Sequence, residues 1–116
     1  MVVRLPERDG ADRIFAALAD PTRRDIVARV LTQEASVSAL AESYPMSFAA
    51  VQRHVAVLER AGLVRKEHRG RERLVRGDVG TIRAAARLLD QYEEIWRGRI
   101  SRLEELLTEP AEGDRP

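Results

Sequence analysis

The chain has 116 residues, 44% of them hydrophobic, and a net charge of +1, which suits one small domain with a modest core. The absence of cysteine excludes disulfides, thiolate metal sites and cysteine catalysis, and fits a cytoplasmic location. No apolar run approaches the ~20 residues needed to span a bilayer, and Arg4, Glu7, Arg8 and Asp9 stand where an export signal would have its apolar core.

Residues 1–10 read as a flexible arm ahead of a domain over 11–108. Asp12 to Leu18 is short and amphipathic, with Ile14, Phe15 and Leu18 on one side. Asp20-Pro21-Thr22 then starts a second helix, with Asp20 as N-cap and Pro21 at the first helical position. This helix carries Ile26, Val27, Val30 and Leu31 inward. Ser36 or Ser38 opens a short third helix with Leu40 and Ala41, which ends near Tyr44-Pro45.

The fourth helix, over 47–61, is the most informative stretch. Ser47 is a good N-cap, and Gly62 suits the left-handed position just past the C-terminus. On a helical wheel Phe48, Val51, Val55 and Leu58 share one side, while Ala49, Gln52, Arg53, Ala56 and Arg60 fall on the other. A short turn between the third and fourth helices is a helix-turn-helix arrangement. Small residues with Gln and Arg on the outer face fit a DNA major groove, where Arg pairs with guanine and Gln with adenine.

After Gly62 the pattern changes to strand. Leu63 to His68 and Arg73 to Arg76 flank Arg69-Gly70-Arg71-Glu72, a hairpin turn with Gly70 at positive φ, so that 63–76 forms a basic wing. Residues 47–77 hold eight basic and three acidic residues, a local charge of +5 between weakly acidic flanks, the footprint of a phosphate-binding surface.

A long helix follows over 79–107. Ile82, Ala85, Leu89, Tyr92, Trp96, Ile100, Leu103 and Leu107 recur in steps of three and four. A helix of that length exceeds what so small a domain can cover. Its second half therefore reads as a dimerisation seam built on Leu89, Tyr92, Trp96, Ile100 and Leu103, joined by Phe15 and Leu18 from the first helix. Tyr92 and Trp96 could also line an effector pocket there. Residues 109–116 read as a disordered tail.

The fold class is thus mostly α with a small β-hairpin wing. At the residue level the chain resembles the ArsR-type family of bacterial transcriptional repressors, over about residues 12–107. The matches are Ala16-Ala17-Leu18-Ala19-Asp20-Pro21-Thr22-Arg23-Arg24 with Ile26-Val27, the run from Ser47 to Val64, and Gly70-Arg71-Glu72-Arg73 in the wing. The resemblance implies a homodimer on a palindromic operator of double-stranded DNA, repressing its own operon. Metal-sensing relatives carry two cysteines in the third helix. Here the matching stretch is Glu34-Ala35-Ser36-Val37-Ser38, and no His follows His68 for the zinc site of other relatives, so no metal and no cofactor is expected. Gln52 stands where serine is commoner and Phe48 where a polar residue is usual, departures that bear on the operator sequence.

The expected DNA contacts are Ser47, Phe48, Ala49, Gln52, Arg53 and His54, with Arg69, Arg71 and Arg73 from the wing. His54 touches phosphate or braces the helix. No nucleophile with a base, no glycine-rich phosphate loop and no metal cluster supports an enzyme. The alternatives are a MarR-like regulator responding to a ligand between helices, and a winged helix that serves only protein interaction. A small-molecule or protein effector is left open.

Overall fold

The computed structural model describes residues 8–108, with side chains described from Gly10 onward. Most of the expected arm and all of the expected tail lie outside the described residues. The first helix, α1 (Arg8–Ala17), begins four residues before the expected Asp12, so residues 8–10 are helical. Helices α2 (Pro21–Thr32), α3 (Val37–Glu42), α4 (Phe48–Arg60) and α5 (Val79–Thr108) follow, with strands β1 (Ala35–Ser36), β2 (Val64–Arg69) and β3 (Glu72–Gly77). Two compact units result, one reaching to Arg83 and one starting at Ala84 within α5.

Local chemistry sets the helix ends. The Asp20 carboxylate accepts from the Arg23 backbone N–H at 3.1 Å, and Pro21 follows where its missing N–H costs nothing. Ser36 is the N-cap of α3, accepting from Ala39 N–H at 3.1 Å, which decides between the two serines. Ser47 does the same for α4 through Ala50 N–H at 3.1 Å. At the far end of α4, Gly62 has φ +79°; its N–H donates to Glu59 O, and Leu63 N–H donates to Leu58 O, both at 3.0 Å. This is a Schellman closure with its apolar pair, since Leu58 and Leu63 are both fully buried. Asp78 starts α5, accepting from Gly80 N–H at 2.9 Å.

The core of the first unit is built from Ile14, Ala17, Ile26, Val27, Val30, Leu40, Val51, Val55, Leu58, Leu63, Val64 and Val75. Two large residues of the apolar rows lie outside this core: Leu31, expected inward, and Phe48, an expected DNA contact. Leu31 is 44% exposed, because it lies across Gly77 of β3 at the rim. A β-carbon built on Gly77 would sit 2.5 Å from Leu31 Cδ2, so the glycine is what lets strand and helix approach. Phe48 is 46% exposed, although the wheel groups it with Val51, Val55 and Leu58. Helical side chains lean toward the N-terminus, so a residue in the first helical position overhangs the end of the helix and misses the core its row points at.

The wing is more than a hairpin. The sheet is antiparallel with order β1-β3-β2, so β1 covers the edge of β3 that a lone hairpin would leave open. β2 pairs with β3 from Val64 opposite Gly77 to Arg69 opposite Glu72, around a two-residue turn of Gly70 (φ +65°) and Arg71.

Helix α5 has 30 residues and buries none of them. Leu89, Tyr92, Ile95, Trp96, Leu103, Leu106 and Leu107 are exposed, Trp96 by 55%. Ile100 and Leu88 are half-buried. Phe15 of α1 is exposed, and Leu18, just past the end of that helix, is half-buried. No helix among the described residues is long and apolar enough to cross a membrane.

Candidate nucleic-acid interface

Helix α4 is held in a fixed attitude by its neighbours, and this decides which of its side chains face solvent. Val51, Val55 and Leu58 lock it from below, each with no exposed surface. Gln52 and Arg53, together with Ala49, are exposed on the opposite side. Ser47 is occupied as the cap, which leaves the helix N-terminus open to an anion through its remaining N–H groups.

Two polar networks brace this arrangement. Arg23 of α2 donates from Nε to Ala17 O at 2.6 Å and from one terminal nitrogen to Ala16 O at 3.2 Å, closing the C-terminus of α1. Its other terminal nitrogen lies 3.2 Å from His54 Nδ1 on α4. A guanidinium has only donors, so Nδ1 is the acceptor in this contact. Of the two expected roles for His54, bracing is the one this geometry displays.

The second network fixes the turn before α4. Tyr44 donates to Asp25 Oδ2 at 2.6 Å, and Arg29 Nε donates to the same oxygen at 2.8 Å. The Arg29 guanidinium also lies over the Tyr44 ring, 5.3 Å from its centre. Burial, reinforced by the Asp25 carboxylate, pushes the Tyr44 hydroxyl up to about 12, while the Tyr44 and Arg29 hydrogen bonds hold Asp25 below the usual carboxylate range. Tyr44 therefore remains a neutral donor at any physiological pH.

The wing separates its charges by face. Residues directly opposite on paired strands share a face, and successive residues alternate. His68 is opposite Arg73, and Lys66 is opposite the buried Val75, so this face turns toward α4. Arg65, Glu67 and Arg69 lie on the other face with Arg76. There the charges are spoken for: Arg69 meets Glu34 at 2.6 Å and Glu67 at 3.8 Å, Arg76 meets Glu67 at 2.8 Å, and Arg65 meets Asp78 at 2.9 Å. The three wing arginines are therefore not equivalent. Arg71 and Arg73 are exposed and have no ion pair among the described residues, whereas Arg69 is tied to the start of β1.

A groove of about 560 Å³ runs between α4 and the wing, and several of the expected contact residues meet there. Phe48 and Gln52 line one wall, and Lys66, His68, Arg71 and Arg73 line the other. Ser36, Val37 and Ser38 around the start of α3, and Glu72 of the wing, complete the lining. Arg53 and Ala49 are exposed on α4 outside this lining, and His54 and Arg69 are turned to other partners. Of the groove's lining, Ser36, Val37, Ser38, Lys66, His68 and Glu72 are not among the contacts expected from the sequence. Strand alternation from Arg73 through the turn identifies His68 once the register is known, but nothing local marks Ser38. Among the described residues, no group of three or more His, Asp or Glu side chains is placed to hold a metal ion.

Comparison with known proteins agrees with this architecture. A helix-turn-helix domain family matches residues 18–67. The HTH-type transcriptional regulator Rv2034 of Mycobacterium tuberculosis is 35% identical over 103 residues, spanning 89% of this chain and 92% of that protein. An ArsR-like transcriptional regulator from Rhodococcus sp. RHA1 superposes with a TM-score of 0.78 at 28% identity, over 88% of this chain and 96% of that one. The crystal structure of another ArsR family transcriptional regulator superposes with a TM-score of 0.72 at 31% identity, over 83% and 97%. With helix-turn-helix, wing and long C-terminal helix all in place, the chain belongs to the ArsR-type family of winged helix-turn-helix, DNA-binding transcriptional regulators.

Proposed function

We propose that this regulator is a cytoplasmic homodimeric repressor that binds a palindromic operator and acts on its own promoter by occluding it. The observation that carries the reading is the groove between α4 and the wing, where Phe48, Gln52, Lys66, His68, Arg71 and Arg73 converge on one accessible surface. In the bound state, α4 enters the major groove, with Gln52 and Arg53 at base edges. Arg71 and Arg73 reach the flanking backbone. Ala49 permits close approach, and the N-terminus at Ser47 receives a phosphate. His54 and Arg69 hold the reading surface in place and contact DNA less directly, since each already has a protein partner.

The second copy is called for by α5, whose exposed Leu89, Tyr92, Trp96 and Leu103 are too apolar a stripe to leave in water. Phe15 of α1 and the following Leu18 are further candidates for contact with the second copy. A twofold dimer places two α4 helices in successive major grooves, roughly 34 Å apart along the duplex. The relatives are regulators of transcription, and the reading includes no catalytic step.

Fluorescence anisotropy with the duplex upstream of the chain's own gene, against a scrambled duplex of equal length, tests this directly. Tight and selective binding by a dimer is expected. Joint replacement Gln52→Ala and Arg53→Ala should abolish selectivity and leave the dimer intact. Unchanged binding by that double variant would discard the assignment of α4 as reading helix. Absence of binding to any duplex would favour the interaction-module alternative.

A further inference from the structure

We propose that Phe48 is a specificity residue that reads the 5-methyl group of a pyrimidine in the operator, an inference that rests on the DNA-binding reading above. The residue is unusual in three respects at once. It opens α4, the position from which a reading helix addresses base edges. It is 46% exposed, although Val51 and Val55 of the same row are completely buried. And it lines a groove whose wing side is mostly cationic, with Lys66, Arg71 and Arg73 beside His68 and a single carboxylate, Glu72. A large aromatic surface gains nothing from water or from those cations' usual partner, the phosphate oxygen.

The base edges in the major groove are hydrogen-bond donors and acceptors, with one apolar exception, the pyrimidine 5-methyl. Thymine supplies it in ordinary DNA, and 5-methylcytosine supplies it in modified DNA. Gln52 lies one helical turn further along α4 and lines the same groove, and its side-chain amide suits the adenine N6 and N7 pair. Phe48 and Gln52 thus address neighbouring positions with complementary chemistry, one apolar and one polar. The wheel disguises this role, because it places Phe48 in the core row.

The test compares methyl with no methyl at one atom. An operator is first selected from a random duplex library with the full chain, and each thymine is then replaced by deoxyuridine in symmetric pairs. Replacement at one pair should weaken the wild type by about fourfold per half-site, the scale of one buried methyl. Phe48→Ala should bind the thymine and deoxyuridine duplexes equally, while Phe48→Leu should keep part of the preference. Circular dichroism should show both variants folded, since the side chain is half in solvent. A further pair of duplexes with cytosine or 5-methylcytosine at that position separates the sources. Equal gain from either methyl assigns the methyl itself as the ligand, and gain from thymine alone restricts it to that base. If no deoxyuridine duplex weakens the wild type, or if Phe48→Ala is weakened as much, the proposal is overturned and Phe48 is a structural residue. Failure to select any sequence would overturn the DNA reading itself, and this assignment with it.

Discussion

Helices α4 and α5 carry apolar stripes with the same three-and-four spacing, and only one of them buries its stripe. In α4, Val51, Val55 and Leu58 are completely enclosed, because α1, α2, α3 and β2 all pack against that helix. In α5 no residue is buried, and from Ala84 onward the helix forms a unit by itself. Periodicity states which side of a helix needs cover. It does not state whether the cover comes from the same chain. Where the chain supplies it, the stripe is a core and the opposite face is free to work. Where it does not, the stripe is itself a candidate working surface.

The sharpest way to break this contrast is to delete a leucine on each helix. Leu58→Ala should destabilise the fold by about 2–5 kcal/mol in urea unfolding, since it empties a fully enclosed site. Leu89→Ala should leave unfolding at high dilution within about 0.5 kcal/mol of the parent, and act only on assembly. Equal destabilisation by the two changes would mean that α5 is covered by its own chain after all.

Trp96→Ala addresses the interface more severely. An aromatic anchor costs roughly 2 kcal/mol or more when truncated, and a twofold dimer loses it twice. Sedimentation should show dissociation at concentrations where the parent is fully dimeric, and an unchanged dimer would remove α5 from the interface.

On the α4 side, Gln52→Ala or Arg53→Ala alone should cost about 1–3 kcal/mol of discrimination between operator and scrambled duplex, with no change in urea midpoint. Ser47→Ala should cost about 1 kcal/mol of stability through the lost cap, and the affinity for DNA should fall only as far as the first turn frays.

The smallest effect is that of acid. Asp20 is held below its ordinary pKa chiefly by the Arg23 backbone hydrogen bond, and Asp25 by Tyr44 and Arg29. Burial pushes Asp78 up, but the hydrogen bonds from Thr81 and Arg65 outweigh it, and the net shift is downward. A depressed carboxylate stabilises the fold above its unfolded pKa, so all three contributions are complete above about pH 4–5 and are lost as pH falls below that. Tyr44 works in the opposite direction: its raised pKa favours the fold below pH 10, and the contribution is lost as pH rises toward 12. Melting temperature should therefore be flat across neutrality. Asp25→Asn should flatten the acid limb, and an acid limb of unchanged steepness would remove Asp25 from the account.

What could be read from the chain alone was what neighbouring residues decide among themselves. The Asp20-Pro21 start, the Ser47 cap and the Gly62 stop are each settled within about five residues, and the helix-turn-helix follows from them. Strand β1 could not be read this way. Two residues have no periodicity, and Ala35 and Ser36 are a strand only because Val75 and Leu74 lie opposite. The unequal roles of the wing arginines depend on register in the same way, since Glu34 is distant in sequence from Arg69. Arg23 shows the limit most clearly. Its three bonds join α1, α2 and α4, and no local pattern announces a side chain that closes one helix while orienting a ring on another.

The ion pairs of the wing and its surroundings also bear on how this protein responds to ionic strength. Of the eight basic side chains between residues 47 and 77, Arg65, Lys66, Arg69 and Arg76 each have a carboxylate within 4.0 Å. A cation that leaves a carboxylate to meet a phosphate frees one condensed counterion from the DNA, but the abandoned carboxylate recruits another from solution. On the proposed mode of binding, the slope of log affinity against log salt, about 0.9 per phosphate neutralised, should count the unpaired Arg71 and Arg73 and largely pass over their paired neighbours. A protein with so many arginines in its middle third should therefore show a salt dependence less steep than its count of cations alone would give, with the unpaired cations of both half-sites setting the slope.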